Sequence, residues 1–293
     1  MKSLILLGAL FASVSSASNM SPSRADANPA LFSVADEDTT IYLLGTVHIL
    51  DEDTVWFDDE VKTAFDASSE LVIEMLEPSP AEMQSILLSK AIDTTGPTLS
   101  QTLKPETMAR LTEEVAKGGI SLSALEPMDP WFAALTLVQF QFQRAGLSPE
   151  TGVEKILTSA AKASGKSVAG LEEFAWQIDL FDSLPEDQQV EFLEQGIADL
   201  ADAETYISQL IEIWSAGDVD RLANLVNESL AQDDNLRARL LVNRNASWAE
   251  WIETRLKDPG TVFMAVGAGH LGGEDSVQDM LAERGLVVMR VED

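Results

Sequence analysis

The fold is decided by FMAVGAGH, residues Phe263–His270, in which an apolar run suited to a buried strand ends at a glycine and meets a histidine three residues later. A helical pattern follows over Ser276–Arg284, and a second apolar strand is predicted over Leu286–Val291. Glycine lets the backbone turn sharply, so the histidine is expected just past the carboxyl end of its strand. Open α/β sheets bind their ligands at that edge.

The other end of the chain has the same order of features. Ile41–His48 reads IYLLGTVH, which leads through a helical pattern at Trp56–Ala67 to a strand predicted at Leu71–Met75. A short apolar run at Ala30–Ala35 precedes it, so the two runs are typical of a hairpin. Two similar strand–Gly-x-x-His–helix–strand segments indicate a duplicated unit that shares one sheet.

Between these ends the pattern is mostly helical, from Pro78 to about Pro259. Trp131–Phe142 is apolar nearly all round, which predicts a buried helix, and Lys166–Leu171 predicts a short strand. We therefore expect an α/β protein with a mixed central sheet built from two related strand–GxxH–helix–strand halves. A large helical insertion, at about residues 78–259, separates the two halves.

The composition excludes one class of partner. The chain has 293 residues, with 49 acidic and 19 basic side chains and a formal net charge of −30. Such a surface repels phosphate backbones, so no nucleic-acid partner is expected. The acidic residues are spread along the chain, which favours a solvated surface over an acidic interaction tail.

The N-terminus is typical of a secretory signal. Lys2 precedes an apolar run at Leu4–Val14, and small residues up to Ala17 provide a cleavage site. Residues 1–17 are therefore interpreted as a signal peptide and 18–293 as one domain, located in the periplasm or secreted. The apolar run is too short to cross a bilayer, and no membrane span is expected in the mature chain. The chain has no cysteine, which excludes disulfides.

The two histidines of the chain are the candidates for its chemistry. His48 and His270 are the only histidines, and each follows the glycine that ends a predicted strand by three residues. Neutral imidazole is the commonest metal ligand, so the pair predicts a metal site. The alternative is two unrelated histidines, at the surface or in the core.

Three charged residues complete the predicted site. Glu74 lies in a strand otherwise suited to burial, where a carboxylate is costly unless it is paired or binds a cation. With His48 and His270 it predicts a two-histidine, one-carboxylate metal site, against the alternative of an exposed edge position. Glu172 ends the strand at Lys166–Leu171 and is a candidate fourth ligand or general base, or only a helix-start acid.

Arg244 is the third of these residues. Arg244 and Asn245 fall on the apolar stripe of a helix that includes Trp248 and Ile252. An inward arginine would pair with a ligating carboxylate or bind an oxyanion, and a purely structural buried ion pair is the alternative.

Taken together, these residues resemble the TraB/GumN family, within the superfamily that includes the Tiki metalloproteases and the erythromycin esterases. The resemblance covers most of the chain after the signal. It rests on these motifs in order: LGTVH at 44–48, Glu74, Pro130-Trp131, Gly152-Val153-Glu154, Gly170-Leu171-Glu172 with Gln177, Arg244-Asn245, and VGAGHL at 266–271. Glu154 stands where the family more often has aspartate, and Gly272-Gly273-Glu274 varies the loop after the second histidine.

The resemblance implies an α/β core of two related halves, with the two Gly-x-x-His motifs and a glutamate as the active centre. It also implies a divalent metal of manganese or cobalt type, as in the Tiki members, with zinc as an alternative.

We therefore expect a metal-dependent hydrolase of the cell envelope or exterior, cleaving a peptide or ester bond in a peptide or small-molecule substrate. The metal would activate water through His48, His270 and Glu74, with Glu172 as base and Arg244 stabilising the developing charge. The alternatives are a non-catalytic metal or haem carrier, and a partner-binding scaffold in envelope or polysaccharide assembly.

Overall fold

The fold comes from a computed structural model that describes residues 26–117, 121–145, 147–228, 230 and 233–292. The predicted signal peptide and its cleavage site lie outside these residues. The chain is an α/β protein with a six-stranded mixed sheet and a helical stretch in the middle of the sequence. Within the described residues, no helix combines the length and the apolar character needed to cross a membrane.

The six strands lie in the order β4-β3-β5-β2-β1-β6. They are β1 (Leu31–Ala35), β2 (Thr39–Thr46), β3 (Glu70–Met75), β4 (Ser167–Glu172), β5 (Gly260–Gly267) and β6 (Val288–Arg290). The predicted hairpin is confirmed, because β1 and β2 pair antiparallel. β5 lies between β2 and β3 and is parallel to both, so the central strands end at one edge.

The final strand lies at one end of the sheet, away from β5. β6 pairs antiparallel with β1 instead of lying next to β5, so β1 and β2 separate the two strands. β2 and β5 each have a neighbouring strand on both sides. Their residues Ile41, Leu43, Val262 and Met264 are fully buried.

The α-helices connect these strands and form the middle of the chain. They are α1 (Asp59–Ala67), α2 (Pro80–Lys90), α3 (Leu99–Thr102), α4 (Pro105–Lys117), α5 (Leu122–Leu125), α6 (Pro130–Arg144), α7 (Val153–Ser164), α8 (Phe174–Asp182), α9 (Glu186–Asp199), α10 (Ala203–Ser215), α11 (Val219–Asn227), α12 (Asp234–Arg237), α13 (Asn243–Arg255) and α14 (Val277–Glu283). Short 3-10 turns lie at Pro149–Thr151, Leu200–Asp202 and Ala268–His270, and a π-helical turn at Ala238–Val242 leads directly into α13.

The described residues form two compact units. The helical unit comprises residues 76–147 and 172–207. Its core includes the predicted buried helix α6, which packs against α9. Trp131 of α6 is fully buried and stacks on Phe181, with ring centroids 6.0 Å apart.

The sheet unit contains residues 26–75, 148–171 and the described part of 208–292. Its core joins the central strands to one face of α13 and to α14, through Trp248, Ile252, Val277 and Leu281. Burying one such large apolar side chain contributes about 1.5–3 kcal/mol. This packing holds α13 against the strands, and α13 carries Arg244.

Candidate functional site

Both Gly-x-x-His turns leave the sheet at the same level. β2 and β5 are parallel neighbours, and their last paired residues are Thr46 and Gly267. His48 and His270 therefore lie just beyond the carboxyl ends of adjacent strands, as the sequence predicts.

The two turns also pack directly on one another. A Cβ atom at Gly45 would lie 3.0 Å from both the Cα and the Cβ of Ala268, which is closer than ordinary van der Waals contact. The buried Trp214 indole donates a hydrogen bond to the carbonyl oxygen of Gly45 at 2.8 Å. Glycine at this position therefore permits the close approach of the two strand ends.

The Glu74 side chain of β3 connects β5 to α13 through its two carboxylate oxygens. Oε1 accepts a hydrogen bond from the backbone N–H of Gly267 at 2.6 Å, and Oε2 accepts one from Nη2 of Arg244 at 2.6 Å. Burial by itself would raise the pKa of Glu74, but the charge of Arg244 and then the two histidines and the Gly267 N–H outweigh it and lower the pKa to about 2. Glu74 is therefore a carboxylate at all physiological pH values.

Arg244 joins this carboxylate to the second histidine. Its Nη1 lies 3.2 Å from Nε2 of His270 and donates to the carbonyl oxygen of Leu240 at 3.3 Å. Its guanidinium carbon lies 4.8 Å from the centre of the Trp248 ring, within cation–π range. Arg244 is 5% exposed, so the arginine predicted to point inward does so and pairs with Glu74.

His270 is buried between the same groups. Its Nδ1 lies 2.6 Å from Oδ1 of Asn245, and its ring lies 4.5 Å from that of Trp248. Burial and the charge of Arg244 lower the pKa of His270 to about 3, against the opposing effect of Glu74. His270 is therefore a neutral imidazole at neutral pH.

His48 has the opposite electrostatic character. Its Nδ1 lies 2.8 Å from Oε1 of Glu154, which also accepts a hydrogen bond from the Thr46 hydroxyl. Burial alone would lower the pKa of His48, but the charge and hydrogen bond of Glu154, with a smaller contribution from Glu74, raise it to about 9. His48 therefore carries a proton at neutral pH.

We call His48, Glu74, Glu154, Arg244 and His270 the sheet-edge centre. Its members differ in exposure: the His48 side chain is 34% exposed and that of Glu154 is 18% exposed, against 14% for Glu74 and 5% for Arg244. Solvent therefore reaches the centre mainly at His48.

The side chains as arranged do not fit the metal ion that the resemblance implies. No group of three or more His, Asp or Glu side chains suited to a metal ion occurs in the part of the chain that the structure describes. Nε2 of His270 and Oε2 of Glu74, which would have to face an ion, are both in contact with Arg244. A bound ion would require the guanidinium to move away.

Glu172, the predicted base, ends β4 and belongs to the helical unit. Its Oε2 accepts a hydrogen bond from Nε2 of Gln177 at 2.7 Å. The structure thus brings together His48, Glu74, Arg244 and His270, and places Glu172 in a separate compact unit.

Sequence reasoning missed two residues of this region. In the sequence, Glu154 belongs to a family motif and Asn245 falls beside Arg244 on the apolar stripe of a helix, but neither residue carries a predicted role. Glu154 lies in the first turn of α7, where an acid also complements the helix dipole, so nothing besides the motif distinguished it.

Two known proteins illustrate what the chain is similar to. An uncharacterized protein of Treponema pallidum (strain Nichols) is 24% identical over 266 residues, covering 85% of this chain and 78% of the relative. The uncharacterized protein YbaP of Escherichia coli (strain K12) is 28% identical over 190 residues, covering 62% of this chain and 67% of the relative. No solved structure matches.

The chain matches a protein-family model over nearly all of the residues that the structure describes. The match to the TraB/PrgY/gumN family extends over residues 30–290, which include all six strands and the complete sheet-edge centre. The chain therefore belongs to the TraB/PrgY/gumN family.

Proposed function

We propose that this chain is a hydrolase of a peptide or ester bond and that His48 is its proton-transferring group. The observation that carries the proposal is the pairing of His48 with Glu154 at the exposed side of an otherwise buried charged network. A histidine whose Nδ1 is held by a carboxylate has its Nε2 directed elsewhere, which is the arrangement that acid–base catalysis uses.

The charges support a division of roles. Protonated His48 would donate its proton to the leaving group. The Arg244 guanidinium, which is paired with Glu74, supplies fixed positive charge in the same centre, and this charge would stabilise negative charge developing on the substrate. Glu74 is too weak a base for water, since its pKa is about 2, so it serves to hold Arg244. Glu172 remains the predicted base.

The divalent ion remains part of the proposal only for a state in which Arg244 has turned away from Glu74 and His270. Manganese or cobalt is the expected ion, with zinc as the alternative.

We also propose how the two halves of the sheet arose and where the protein acts. Two Gly-x-x-His turns on adjacent parallel strands support an origin by duplication of one strand–turn–helix–strand unit. We propose that the protein acts in the periplasm or outside the cell.

The test is turnover of a panel of fluorogenic peptides and esters by the wild type, by His48→Gln and by the matched control Asp51→Asn, an exposed residue three positions away. We expect the wild type and the control to be active and His48→Gln to be inactive. Equal turnover in all three proteins would refute the role of His48.

Chelation followed by added manganese, cobalt or zinc shows whether the ion takes part. A haem carrier would show a Soret band in place of turnover, and a scaffold would bind its partner after loss of both histidines.

A further inference from the structure

Asn245 is a buried polar side chain that the proposed chemistry does not use directly. It lies in α13 and is 0% exposed. An amide buried to this extent is costly unless both of its ends are hydrogen-bonded. Both ends are bonded here, and the partners decide which way the amide faces.

The first partner is a backbone carbonyl. Nδ2 of Asn245 lies 2.7 Å from the carbonyl oxygen of Asp275. A carbonyl oxygen can only accept, so the nitrogen end of the amide must face it. The orientation of the Asn245 amide therefore follows from hydrogen-bond chemistry.

The turn that carries the Asp275 carbonyl is itself fixed by an ion pair. Asp275 adopts a left-handed φ of 60°, which aspartate tolerates better than most residues. Its carboxylate pairs with Arg237 at the end of α12, at 2.5 Å. The turn that carries the acceptor for Asn245 is thus tied to a neighbouring helix.

The second partner is His270. Because Nδ2 of Asn245 faces Asp275, Oδ1 must face His270, whose Nδ1 lies 2.6 Å away. An amide oxygen only accepts, so Nδ1 of the imidazole must carry the hydrogen.

The opposite side of the ring leads to the same assignment independently. Nε2 of His270 lies 3.2 Å from Nη1 of Arg244, and a guanidinium only donates. Nε2 must therefore present its lone pair. Because Nδ1 faces an acceptor and Nε2 faces a donor, only one of the two neutral tautomers fits, the one with its hydrogen on Nδ1.

We propose that Asn245 is a positioning residue that holds His270 as the Nδ1–H tautomer, so that its Nε2 lone pair points to Arg244 and the sheet-edge centre. Asn245 is fully buried and reaches the centre only through the ring, so it does not touch substrate. The consequence for turnover rests on the proposed function, whereas the tautomer itself does not.

The experiment reads the tautomer directly. The chain has only two histidines, so a long-range 1H–15N spectrum at pH 7 contains two imidazole patterns, and a His48→Gln variant assigns them. In the wild type we expect Nδ1 of His270 to be protonated and Nε2 to be unprotonated. A wild-type His270 that is protonated on Nε2 would overturn the proposal.

Two substitutions at Asn245 separate positioning from packing. Asn245→Leu removes both hydrogen bonds at similar size, so the His270 ring is free to turn away from Arg244 and the share of the Nε2-protonated tautomer should rise. Asn245→Asp keeps an oxygen facing Nδ1, so Nδ1 should stay protonated. The matched control Asn243→Leu changes an exposed asparagine of the same helix and should leave the spectrum unchanged. A folded Asn245→Leu protein with the wild-type pattern, or an Asn245→Asp protein without Nδ1–H, would refute the inference.

Kinetics provide a separate measurement. With a substrate that the wild type hydrolyses, Asn245→Leu should lower kcat by about 10- to 100-fold, the usual cost of removing an outer partner at an active centre, because a displaced His270 ring no longer contacts Arg244. KM should be unchanged, because the residue is out of reach of substrate. A rise in KM with unchanged kcat would contradict positioning. If no substrate is turned over, the proposed function fails, and the spectrum still decides the tautomer.

Discussion

Replacing Glu154 with glutamine should change the proton affinity of His48 more than any other single substitution in the sheet-edge centre. Glu154 supplies both the nearby charge and the hydrogen bond, at 2.8 Å, that raise the pKa of His48 from 6.5 to about 9. Glutamine keeps the size of the side chain and removes the charge. Burial, which acts in the opposite direction, remains, so the pKa of His48 should fall below 6.5.

The magnitude follows from the same values. A fall of about 2.5 in pKa corresponds to about 3.4 kcal/mol, and the exposure of one third of the His48 ring reduces this to about 2 kcal/mol. Because the folded-state pKa is raised, this stabilisation is fully present below pH 6.5 and is lost as the pH rises through about 9. Glu154→Gln should therefore lower the free energy of unfolding at pH 6.5 and have little effect above pH 9.

Two measurements check this prediction. Proton NMR of the two histidine Cε1–H signals should show one titrating near pH 9 in the wild type and below 6.5 in Glu154→Gln. Urea unfolding at pH 6.5 and at high pH gives the stability difference. Glu150→Gln is the control, since Glu150 is exposed and its ion pair with Lys155 spans 3.7 Å. If His48 titrates at the same pH in wild type and Glu154→Gln, the reasoning is refuted.

Four further predictions concern Arg244, Gly45 and the N-terminus. Arg244→Ala leaves the buried Glu74 unpaired and should lower the free energy of unfolding by about 3–5 kcal/mol, measured by urea denaturation. Arg244→Lys keeps the charge but loses the planar fork, so turnover per folded molecule should fall by about 10- to 1,000-fold, and full activity would remove Arg244 from the centre. Gly45→Ala places a Cβ 3.0 Å from Ala268 and should cost about 1–3 kcal/mol, visible as a lower melting temperature. Exported protein should begin near Ser18, and N-terminal sequencing that finds Met1 intact would contradict the signal peptide.

Much of the fold could be read from the sequence because local patterns encode it. Apolar runs ending in Gly-x-x-His predicted β2 and β5, and the helix and strand signals around them predicted β3 and β6. The spacing of apolar residues and the residues that favour turns depend only on neighbours in the sequence, so they can be recognised without tertiary contacts. The order of the strands is not local in this way, because β6 pairs with β1, which lies more than 250 positions earlier in the chain.

The candidate site divides in the same way. The sequence alone determined which residue types were out of place: two histidines after glycines, a glutamate inside a buried strand, and an arginine on an apolar helix face. Only the tertiary structure decided their partners, because packing brings together side chains far apart in the chain, such as Glu74 with Arg244 and His48 with Glu154. It also placed the Arg244 guanidinium against the atoms of Glu74 and His270 that a metal would need. A pattern can show that a buried charge requires a partner, but the distance and direction of that partner are set by the packed core.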